Sequence, residues 1–255
     1  MNETYLFISD VHLGLQSYPI EKNKERSLVK FLNFAQDNCK ALFIAGDLFD
    51  YWFEYRRVYQ KGFFRTLTAL QDLTEKNIEL HYFIGNHDFM HRDFFSKEIG
   101  AIMHEEPIDI TLNGKRFYIG HGDGLVKNDI GYNILKKILR NKTVQSLYSY
   151  LHPDIGISIA SRTSKTSRDY TTTKDYGEED GLFDAAKVKI DEGFDYVLFG
   201  HLHKRCFLKY KKGYYINLGS WLEEPCYGIF DNNKFEIVDV SSMTKTQADD
   251  RQGRK

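Results

Sequence analysis

The sequence predicts an α/β fold, and three features of the chain support this prediction. Short apolar runs recur along it, helical stretches separate the early runs, and each run ends in a cluster of polar residues. Continuous apolar runs of this kind are typical of strands that are buried on both faces and flanked by helices. We therefore predict strands at Tyr5–Ile8, Ala41–Ala45, His81–Ile84, Phe117–Ile119 and Tyr196–Phe199.

The segments between and after these strands complete the predicted fold. Helices are expected at about 20–38, 59–77 and 92–99. The first is expected because Leu28, Phe31 and Leu32 have the spacing of an amphipathic helix. Three further strands are predicted at Tyr214–Leu218, Tyr227–Phe230 and Phe235–Val240, with a turn at Asn232-Asn233.

Length and composition limit the class of protein. The 255 residues are 42% hydrophobic and 28% charged, which fits one globular domain with insertions. The formal net charge of −1 excludes a chain-wide basic surface for nucleic acid. Three cysteines without C-x-x-C spacing favour a reducing compartment. No apolar run approaches the ~18 residues of a membrane span and no basic leader precedes the first strand, so we expect a cytoplasmic protein.

One region lacks predicted strands and differs in charge from the rest. Between Leu125 and Lys174, nine Lys or Arg residues stand against three Asp, a local net charge of +6, and the apolar pattern is helical. An insertion between two polar clusters is a suitable place for a lid, although a solvated helical hairpin would give the same pattern. We expect one domain over residues 1–240, interrupted by an inserted helical lid at 125–180, and a flexible C-terminal tail at 241–255.

The polar clusters carry the predicted chemistry. Strand carboxyl ends in an open α/β sheet line one crevice, so clusters far apart in sequence can meet there. A mixed set of oxygen and imidazole donors suits divalent Mn, Fe, Zn or Ni. The predicted metal ligands are Asp10, His12, Asp47, Asn86, His121, His201 and His203. Seven ligands exceed the needs of one ion, which predicts two ions that share a bridging carboxylate.

A pair of divalent ions would serve hydrolysis at phosphorus. Two cations about 3.5–4 Å apart stabilise the attacking and the leaving oxygen of an in-line displacement. His87 directly follows Asn86 and is predicted as the catalytic general acid or charge stabiliser, with Asp88 orienting its ring. Any single histidine beside a strand is more often structural, but five such clusters together favour the catalytic interpretation.

These clusters resemble the five motifs of the calcineurin-like metallophosphoesterases. The matching stretches are Ser9–His12 (SDVH), Gly46–Asp50 (GDLFD), Gly85–Asp88 (GNHD), Gly120–Asp123 (GHGD) and Gly200–His203 (GHLH). The resemblance implies a four-layer α/β/β/α metallophosphoesterase sandwich with two central mixed sheets. It also implies that one metal ion binds Asp10, His12, Asp47 and His203, and that the other binds Asp47, Asn86, His121 and His201.

A narrower resemblance links the chain to the UDP-2,3-diacylglucosamine pyrophosphatases of lipid A synthesis. It rests on Gly46–Trp52 (GDLFDYW), Gly85–Phe89 (GNHDF), His121–Leu125 (HGDGL), Asp129–Tyr132 (DIGY) and Leu218–Trp221 (LGSW). It implies a helical lid insertion and cleavage of UDP-2,3-diacylglucosamine to UMP and lipid X (2,3-diacylglucosamine 1-phosphate), with two divalent metal ions, Mn²⁺ being expected. The implied substrate-binding residues are Asn86, His87, Asp129, Tyr132, Arg162, Lys165 and Arg168.

The resemblance also implies surroundings and partners for the protein. The substrate would be a lipid-linked nucleotide sugar, met at the inner face of the inner membrane of a Gram-negative bacterium. Nucleases share this fold, but nucleic acid is not expected because the basic residues cluster in one insertion and do not line a long groove, and no obligate protein partner is inferred. One residue departs from the pattern, because the best-known branch has Arg where this chain has His87. A histidine can protonate a leaving group where an arginine cannot, so nucleotides and other nucleotide sugars remain alternative substrates. A non-catalytic scaffold of the same fold is a third alternative, which His87 argues against.

Overall fold

A computed structural model gives the fold of the chain. It describes residues 3–55, 57–58, 60–125, 136–156, 158–159 and 181–243. The strands within these ranges are β1 (Tyr5–Ile8), β2 (Ala41–Ile44), β3 (Glu79–Phe83), β4 (Ile102–His104), β5 (Ile108–Leu112), β6 (Lys115–Ile119), β7 (Tyr196–Phe199), β8 (Cys206–Tyr210), β9 (Gly213–Asn217), β10 (Cys226–Asp231) and β11 (Lys234–Asp239). The helices are α1 (Tyr18–Asn38), α2 (Phe64–Glu75), α3 (Lys142–Tyr148) and α4 (Gly181–Asp191), with a π-helical turn at Phe95–Ile99 and a 3₁₀ turn at Val240–Ser242.

The strands form two mixed sheets. The first has six strands in the order β11-β10-β1-β2-β3-β4, and the second has five in the order β5-β6-β7-β9-β8. Strands β1 to β4 run parallel in the first sheet, as do β6, β7 and β9 in the second. The loops that follow these parallel strands meet at one end of the molecule, where a backbone N–H after β7 donates to a carboxylate after β1.

Three apolar layers hold the sheets and helices together. Alternate residues of β1 point to opposite faces, so Leu6 packs under α1 and α2 while Phe7 packs between the sheets. There Phe7 stacks on Phe117 of the other sheet, with ring centroids 5.9 Å apart. Helix α4 covers the outer face of the second sheet. The chain is therefore a four-layer α/β/β/α sandwich, which confirms the predicted fold class.

The predicted strands agree with the structure wherever a strand is buried on both faces. Strands β1 and β7 have the predicted bounds, and every other predicted strand lies within two residues of its observed position. The strands absent from the prediction are β4, β5 and β8, and each lies at the edge of its sheet. Their side chains are partly exposed, so these strands lack the continuous apolar run that marks a buried strand.

Two of the helix predictions need correction. Helix α2 begins at Phe64 rather than near residue 59, because Phe63 adopts a left-handed φ of 56° before it. The helix predicted at 92–99 is a π-helical turn at Phe95–Ile99. The carboxylate of Glu54 accepts three backbone N–H groups, those of residues 92 to 94, and so fixes the entry to this turn.

Only part of the lid predicted at 125–180 lies among the described residues. Asn141 caps α3 by accepting hydrogen bonds from the two N–H groups of residues 143 and 144. Tyr148 joins this helix to the body of the protein. Its ring centroid lies 5.0 Å from that of Phe53, and its hydroxyl lies 3.5 Å from that of Tyr51. The insertion therefore rests on the loop that follows β2.

The C-terminal end of the described chain packs on the first sheet. The 3₁₀ turn after β11 brings Met243, which is 5% exposed, into the same core as Val240. Ordered packing thus continues three residues past the predicted domain end at residue 240, and the tail from 244 onward lies outside the described residues. Within the described chain, no helix combines the length and hydropathy that a membrane crossing requires.

Candidate metal centre

The predicted ligands lie in five loops at the carboxyl ends of parallel strands. They follow β1 (Asp10, His12), β2 (Asp47), β3 (Asn86), β6 (His121) and β7 (His201, His203). Each of these side chains has a donor atom within hydrogen-bonding or ion-pair distance of another member of the set. Residues far apart in sequence are therefore brought to one place, as the strand-end argument predicts.

Four of these side chains form one compact donor group. Ligand atoms of Asp10, His12, Asp47 and His203 all lie within 4.8 Å of one another. Nε2 of His12 is 3.0 Å from Nε2 of His203 and 3.8 Å from Oδ2 of Asp47. Oδ1 of Asp10 is 3.4 Å from Nε2 of His203. The same four residues are those that the family resemblance assigns to one ion.

Asp47 also faces a second donor group. Its Oδ2 atom lies 3.4 Å from Nε2 of His121. Oδ1 of Asn86 lies 2.9 Å from that Nε2 atom and 2.8 Å from Nδ1 of His201. The carboxylate of Asp47 therefore lies between the two groups, which is the position that a bridging ligand needs.

Five of the predicted ligands have a left-handed backbone. The φ angles are 50° at Asp10, 49° at His12, 52° at Asp47, 71° at His201 and 57° at His203. Each such conformation costs on the order of 1–3 kcal/mol in a residue other than glycine and persists only where the surroundings enforce it. Here the N–H groups of Asp10 and His12 donate to the carbonyl groups of residues 46 and 47, at 3.1 and 3.0 Å.

Backbone N–H groups also fix the two carboxylates. The N–H of His201 donates to both oxygens of Asp10, at 3.1 and 3.2 Å. The N–H of His87 donates to Oδ1 of Asp47 at 2.9 Å, which leaves Oδ2 directed at the histidines. The buried ammonium of Lys24 on α1 donates to the carbonyl oxygen of His12 at 2.6 Å. Contacts from several elements therefore hold the ligand loops in their strained conformations.

Gly85 and Gly200, which begin two of the clusters, leave no room for a side chain beside a carboxylate. A Cβ atom at Gly200 would lie 2.5 Å from Oδ2 of Asp10, and a Cβ atom at Gly85 would overlap the carboxylate of Asp47. Neither glycine has a φ in the left-handed range. Space beside the carboxylates, rather than backbone freedom, is what requires glycine at these positions.

The electrostatics of the two donor groups favour bound cations. Asp10 and Asp47 are fully buried. Burial alone would raise the pKa of Asp47, but His121 and His87 outweigh burial and hold that pKa well below its usual value. Oδ2 of this anionic carboxylate has no hydrogen-bond partner among the described residues. Because buried anions need charged partners and the mixed donors suit a divalent ion, the residues fit the metal ions that the resemblance implies.

Asp50 is a functional candidate that the sequence analysis missed. Its Oδ1 atom lies 3.7 Å from Nδ1 of His87 and 3.6 Å from Nδ1 of His12, and the side chain is buried. A carboxylate in this position orients an imidazole ring. The sequence could have pointed to Asp50 through its position, because it lies three residues after Asp47 in the same loop.

The role predicted for Asp88 needs correction. Its carboxylate accepts hydrogen bonds from the N–H groups of Leu48 at 2.9 Å and Gly85 at 3.0 Å, and from the hydroxyl of Tyr82. These contacts tie the loop after β3 to the loop after β2. Asp88 is thus a buried support for the loops, and the carboxylate that faces the ring of His87 is Asp50.

The insertion reaches the donor groups through Asp123. This buried carboxylate lies two residues after His121, and its Oδ2 atom is 2.8 Å from Nζ of Lys136 and 3.2 Å from Nη2 of Arg140. Five of the predicted substrate-binding residues lie outside the described residues, namely Asp129, Tyr132, Arg162, Lys165 and Arg168. Their predicted roles therefore stay predictions.

The arrangement is suited to hydrolysis of a phosphate ester or anhydride. When bound, two divalent ions would polarise the phosphoryl oxygens and activate the attacking water. The ring of His87 lies edge-on to that of His12, with centroids 4.9 Å apart, so it borders the first donor group. From there it can give a proton to a leaving oxygen or stabilise the charge on it, and Asp50 orients the ring.

Comparison with known proteins agrees with this chemistry. The calcineurin-like phosphoesterase family profile matches residues 4–205. A protein named UDP-2,3-diacylglucosamine hydrolase from Porphyromonas gingivalis is 32% identical over 95% of this chain and 100% of its own length. Proteins of the same name from Hahella chejuensis and Blochmanniella pennsylvanica are 27% and 30% identical, over 93% and 85% of this chain and 97% and 87% of theirs. The chain therefore belongs to the calcineurin-like phosphoesterase family.

Proposed function

We propose that this protein hydrolyses the pyrophosphate bond of UDP-2,3-diacylglucosamine and releases UMP and 2,3-diacylglucosamine 1-phosphate. The main support is the pair of buried donor groups that share Asp47. The chain also aligns with the full length of a relative named UDP-2,3-diacylglucosamine hydrolase. A shared carboxylate between two donor groups suits the two-ion chemistry of displacement at phosphorus.

We propose two divalent ions as cofactors. Mn²⁺ is expected from the family resemblance, and the mixed oxygen and imidazole donors suit it among several divalent ions. Asp10, His12, Asp47 and His203 would hold one ion, and Asp47, Asn86, His121 and His201 would hold the other. His87 stabilises the charge that develops on the lipid phosphate as it leaves, and Asp50 keeps the ring oriented for this task. Asp88 contributes by holding the loops that carry these residues.

The substrate is amphiphilic, and we propose that its acyl chains lie on the His87 side of the metal centre. The loops that carry Asp50 and His87 continue into an aromatic cluster of Tyr51, Phe53 and Met90, which Tyr148 of the insertion joins. Tyr51, Phe53 and Met90 are themselves buried, so the partly exposed Tyr55, Phe89 and Tyr148 around them would contact the acyl chains. The proposed contacts to the polar part of the substrate are Asn86, His87, Asp129, Tyr132, Arg162, Lys165 and Arg168.

We also propose that the inserted lid at 125–180 attaches the protein to the inner face of the inner membrane. Leu147 is 67% exposed and Tyr150 is 84% exposed, and Lys137 and Lys142 near them are exposed as well. Each basic residue near an anionic leaflet contributes about 1 kcal/mol of attraction, and apolar side chains enter the interface. Flotation with vesicles that contain phosphatidylglycerol should recover the protein, and vesicles of phosphatidylcholine alone should recover much less.

The experiment that tests the proposed function is product analysis with purified protein and Mn²⁺. Detergent-solubilised UDP-2,3-diacylglucosamine, UDP-glucosamine and bis-p-nitrophenyl phosphate are offered separately, and Asp47→Ala serves as the inactive control. We expect UMP and lipid X from the acylated substrate and no turnover by the variant. Hydrolysis of only the two small compounds would retain the metal-dependent enzyme but refute the lipid substrate.

A further inference from the structure

A cavity of about 210 Å³ lies on the β4 side of the candidate metal centre. Its walls come from the end of β3, the end of β4 and the loop after β6. His121, a predicted ligand, forms the wall nearest the metal centre, and Asp123 and Lys136 line the cavity beside it. Glu105 and Glu106, both exposed, line the side toward solvent.

The two sides of the metal centre differ in chemistry. On the His87 side, the loops that carry Asp50 and His87 continue into the aromatic cluster of Tyr51, Phe53, Met90 and Tyr148. The His121 side carries the cavity, whose polar wall contains three carboxylates and an ammonium group, with Asp123 and Lys136 paired to each other. The proposed substrate has the same asymmetry, because an acylated sugar lies on one side of its pyrophosphate and a nucleoside lies on the other.

We infer that this cavity is the subsite for the uridine monophosphate part of the substrate. The pyrophosphate would then cross the metal centre, with the nucleoside toward β4 and the acyl chains toward the aromatic cluster. This inference rests on the proposed function and adds the orientation of the substrate to it.

The polar groups of the cavity suit a nucleotide. An exposed carboxylate commonly accepts the ribose hydroxyls of bound nucleotides, and Glu105 and Glu106 offer this chemistry. A lysine recognises phosphate as a point charge, and Lys136, whose Nζ atom pairs with Asp123, lines the same cavity as His121. A cavity of this size accommodates a nucleoside better than a diacylated sugar, which needs a longer apolar surface.

The insertion helps to form this cavity. Nη1 of Arg140 donates to the carbonyl oxygen of Glu105 at 3.2 Å, and its Nη2 atom donates to Asp123 at the same distance. Nζ of Lys136 lies 2.8 Å from Oδ2 of Asp123. Lys136 and Arg140 of the insertion therefore contact the loop after β6, and Arg140 also contacts the end of β4.

The test measures binding of UMP to Mn²⁺-loaded protein by isothermal titration. The variant is Glu105→Gln combined with Glu106→Gln, and the matched control is Glu75→Gln, an exposed glutamate of α2 on the outside of the first sheet. We expect the double variant to bind UMP about 3–10-fold more weakly, the loss that one or two weakened hydrogen bonds produce. The control should bind UMP like the wild type.

A second ligand separates ribose contacts from a general effect of charge. 2′,3′-Dideoxyuridine 5′-monophosphate lacks the hydroxyls, so we expect the double variant and the wild type to bind it equally. Equal binding of UMP by the wild type and the double variant would overturn the inference, as would a wild type that binds no UMP.

Turnover of UDP-2,3-diacylglucosamine distinguishes failure of this inference from failure of the proposed function. If the double variant loses UMP affinity but the wild type does not cleave the lipid, the nucleotide subsite stands and the lipid assignment fails. If the wild type cleaves the lipid and the double variant has the same KM for it, the proposed function stands and the subsite assignment fails.

Discussion

Substituting Gly85 with alanine tests whether the space beside Asp47 is essential for metal binding. An added Cβ atom would overlap the Asp47 carboxylate, which the N–H of His87 already fixes from the same loop. Either the carboxylate turns or the loop after β3 moves away and takes Asn86 with it. Displacing a group that supports metal ligands typically costs 10–100-fold in affinity, so we expect Mn²⁺ affinity to fall by about that factor. Crowding of the buried site should also lower the free energy of unfolding by about 1–3 kcal/mol.

The assay is isothermal titration of chelator-treated protein with Mn²⁺, accompanied by urea unfolding without metal. Gly114→Ala is the matched control, because this glycine lies in the turn between β5 and β6 and a Cβ atom there meets nothing within 4 Å. Its φ of +77° is unfavourable for alanine, so the control should lose about 1–2 kcal/mol of stability and keep its metal affinity. If the two variants have similar stability but different Mn²⁺ affinity, the loss of affinity comes from crowding beside Asp47 and not from general destabilisation.

Native Mn²⁺ affinity in Gly85→Ala would refute this reasoning. It would mean that the Asp47 carboxylate is not needed in its present position, and the assignment of Asp47 as the bridging ligand would fall with it. Equal loss of affinity in both variants would instead trace the effect to general destabilisation and would also contradict the steric argument.

Three further predictions follow from the site and the fold. Asp50→Asn should lower kcat about 10–100-fold at saturating Mn²⁺, since the carboxylate that faces the His87 and His12 rings loses its charge; an unchanged kcat at saturating Mn²⁺ would contradict that role. Titrating chelator-treated protein with Mn²⁺ should raise Tm, because ligands that bind only the folded state stabilise it, and Asp47→Ala should show no such rise. Burial and the neighbouring His81 lower the pKa of His104 to about 4. As pH falls below ~6.5, the unfolded chain therefore binds a proton at this residue before the folded protein does. The free energy of unfolding should be full above pH ~6.5 and decline by about 1–2 kcal/mol as pH falls to 4. Urea unfolding of the wild type and of His104→Gln across this range checks the last prediction, and an equal slope in both proteins would refute it.

The buried part of the fold could be predicted because burial leaves a simple pattern in the sequence. Strands such as Tyr5–Ile8 are covered on both faces, so every residue in them is apolar. Edge strands lack this apolar pattern. Cys206–Tyr210 has neighbours on one side and largely exposed side chains, so its sequence resembles a loop. The entry to the π-helical turn depends on Glu54, a residue about forty positions away, which no local pattern reveals.

The candidate site was predictable as a set of residues but not as a set of contacts. Strand ends meet in space, so the metal ligands could be collected from the sequence. Which side chains contact each other within the site depends on the path of each loop. Asp88 is adjacent to His87 in sequence, yet its carboxylate points back to the N–H of Leu48, and Asp50 from another loop faces the histidine ring. Adjacency along the chain was therefore a poor guide to which carboxylate supports the ring.

The position of β1 inside the first sheet has a consequence for synthesis of the protein. This strand pairs with β2 on one side and with β10 on the other. The carboxylate of Asp10 accepts a hydrogen bond from the N–H of His201, which lies 191 residues later. At about 5–20 residues per second, a ribosome needs roughly 10 to 40 seconds to travel that distance, and one edge of β1 stays unpaired throughout. Because both donor groups include histidines from the loop after β7, the ions bind a nearly finished polypeptide and cannot template its early folding.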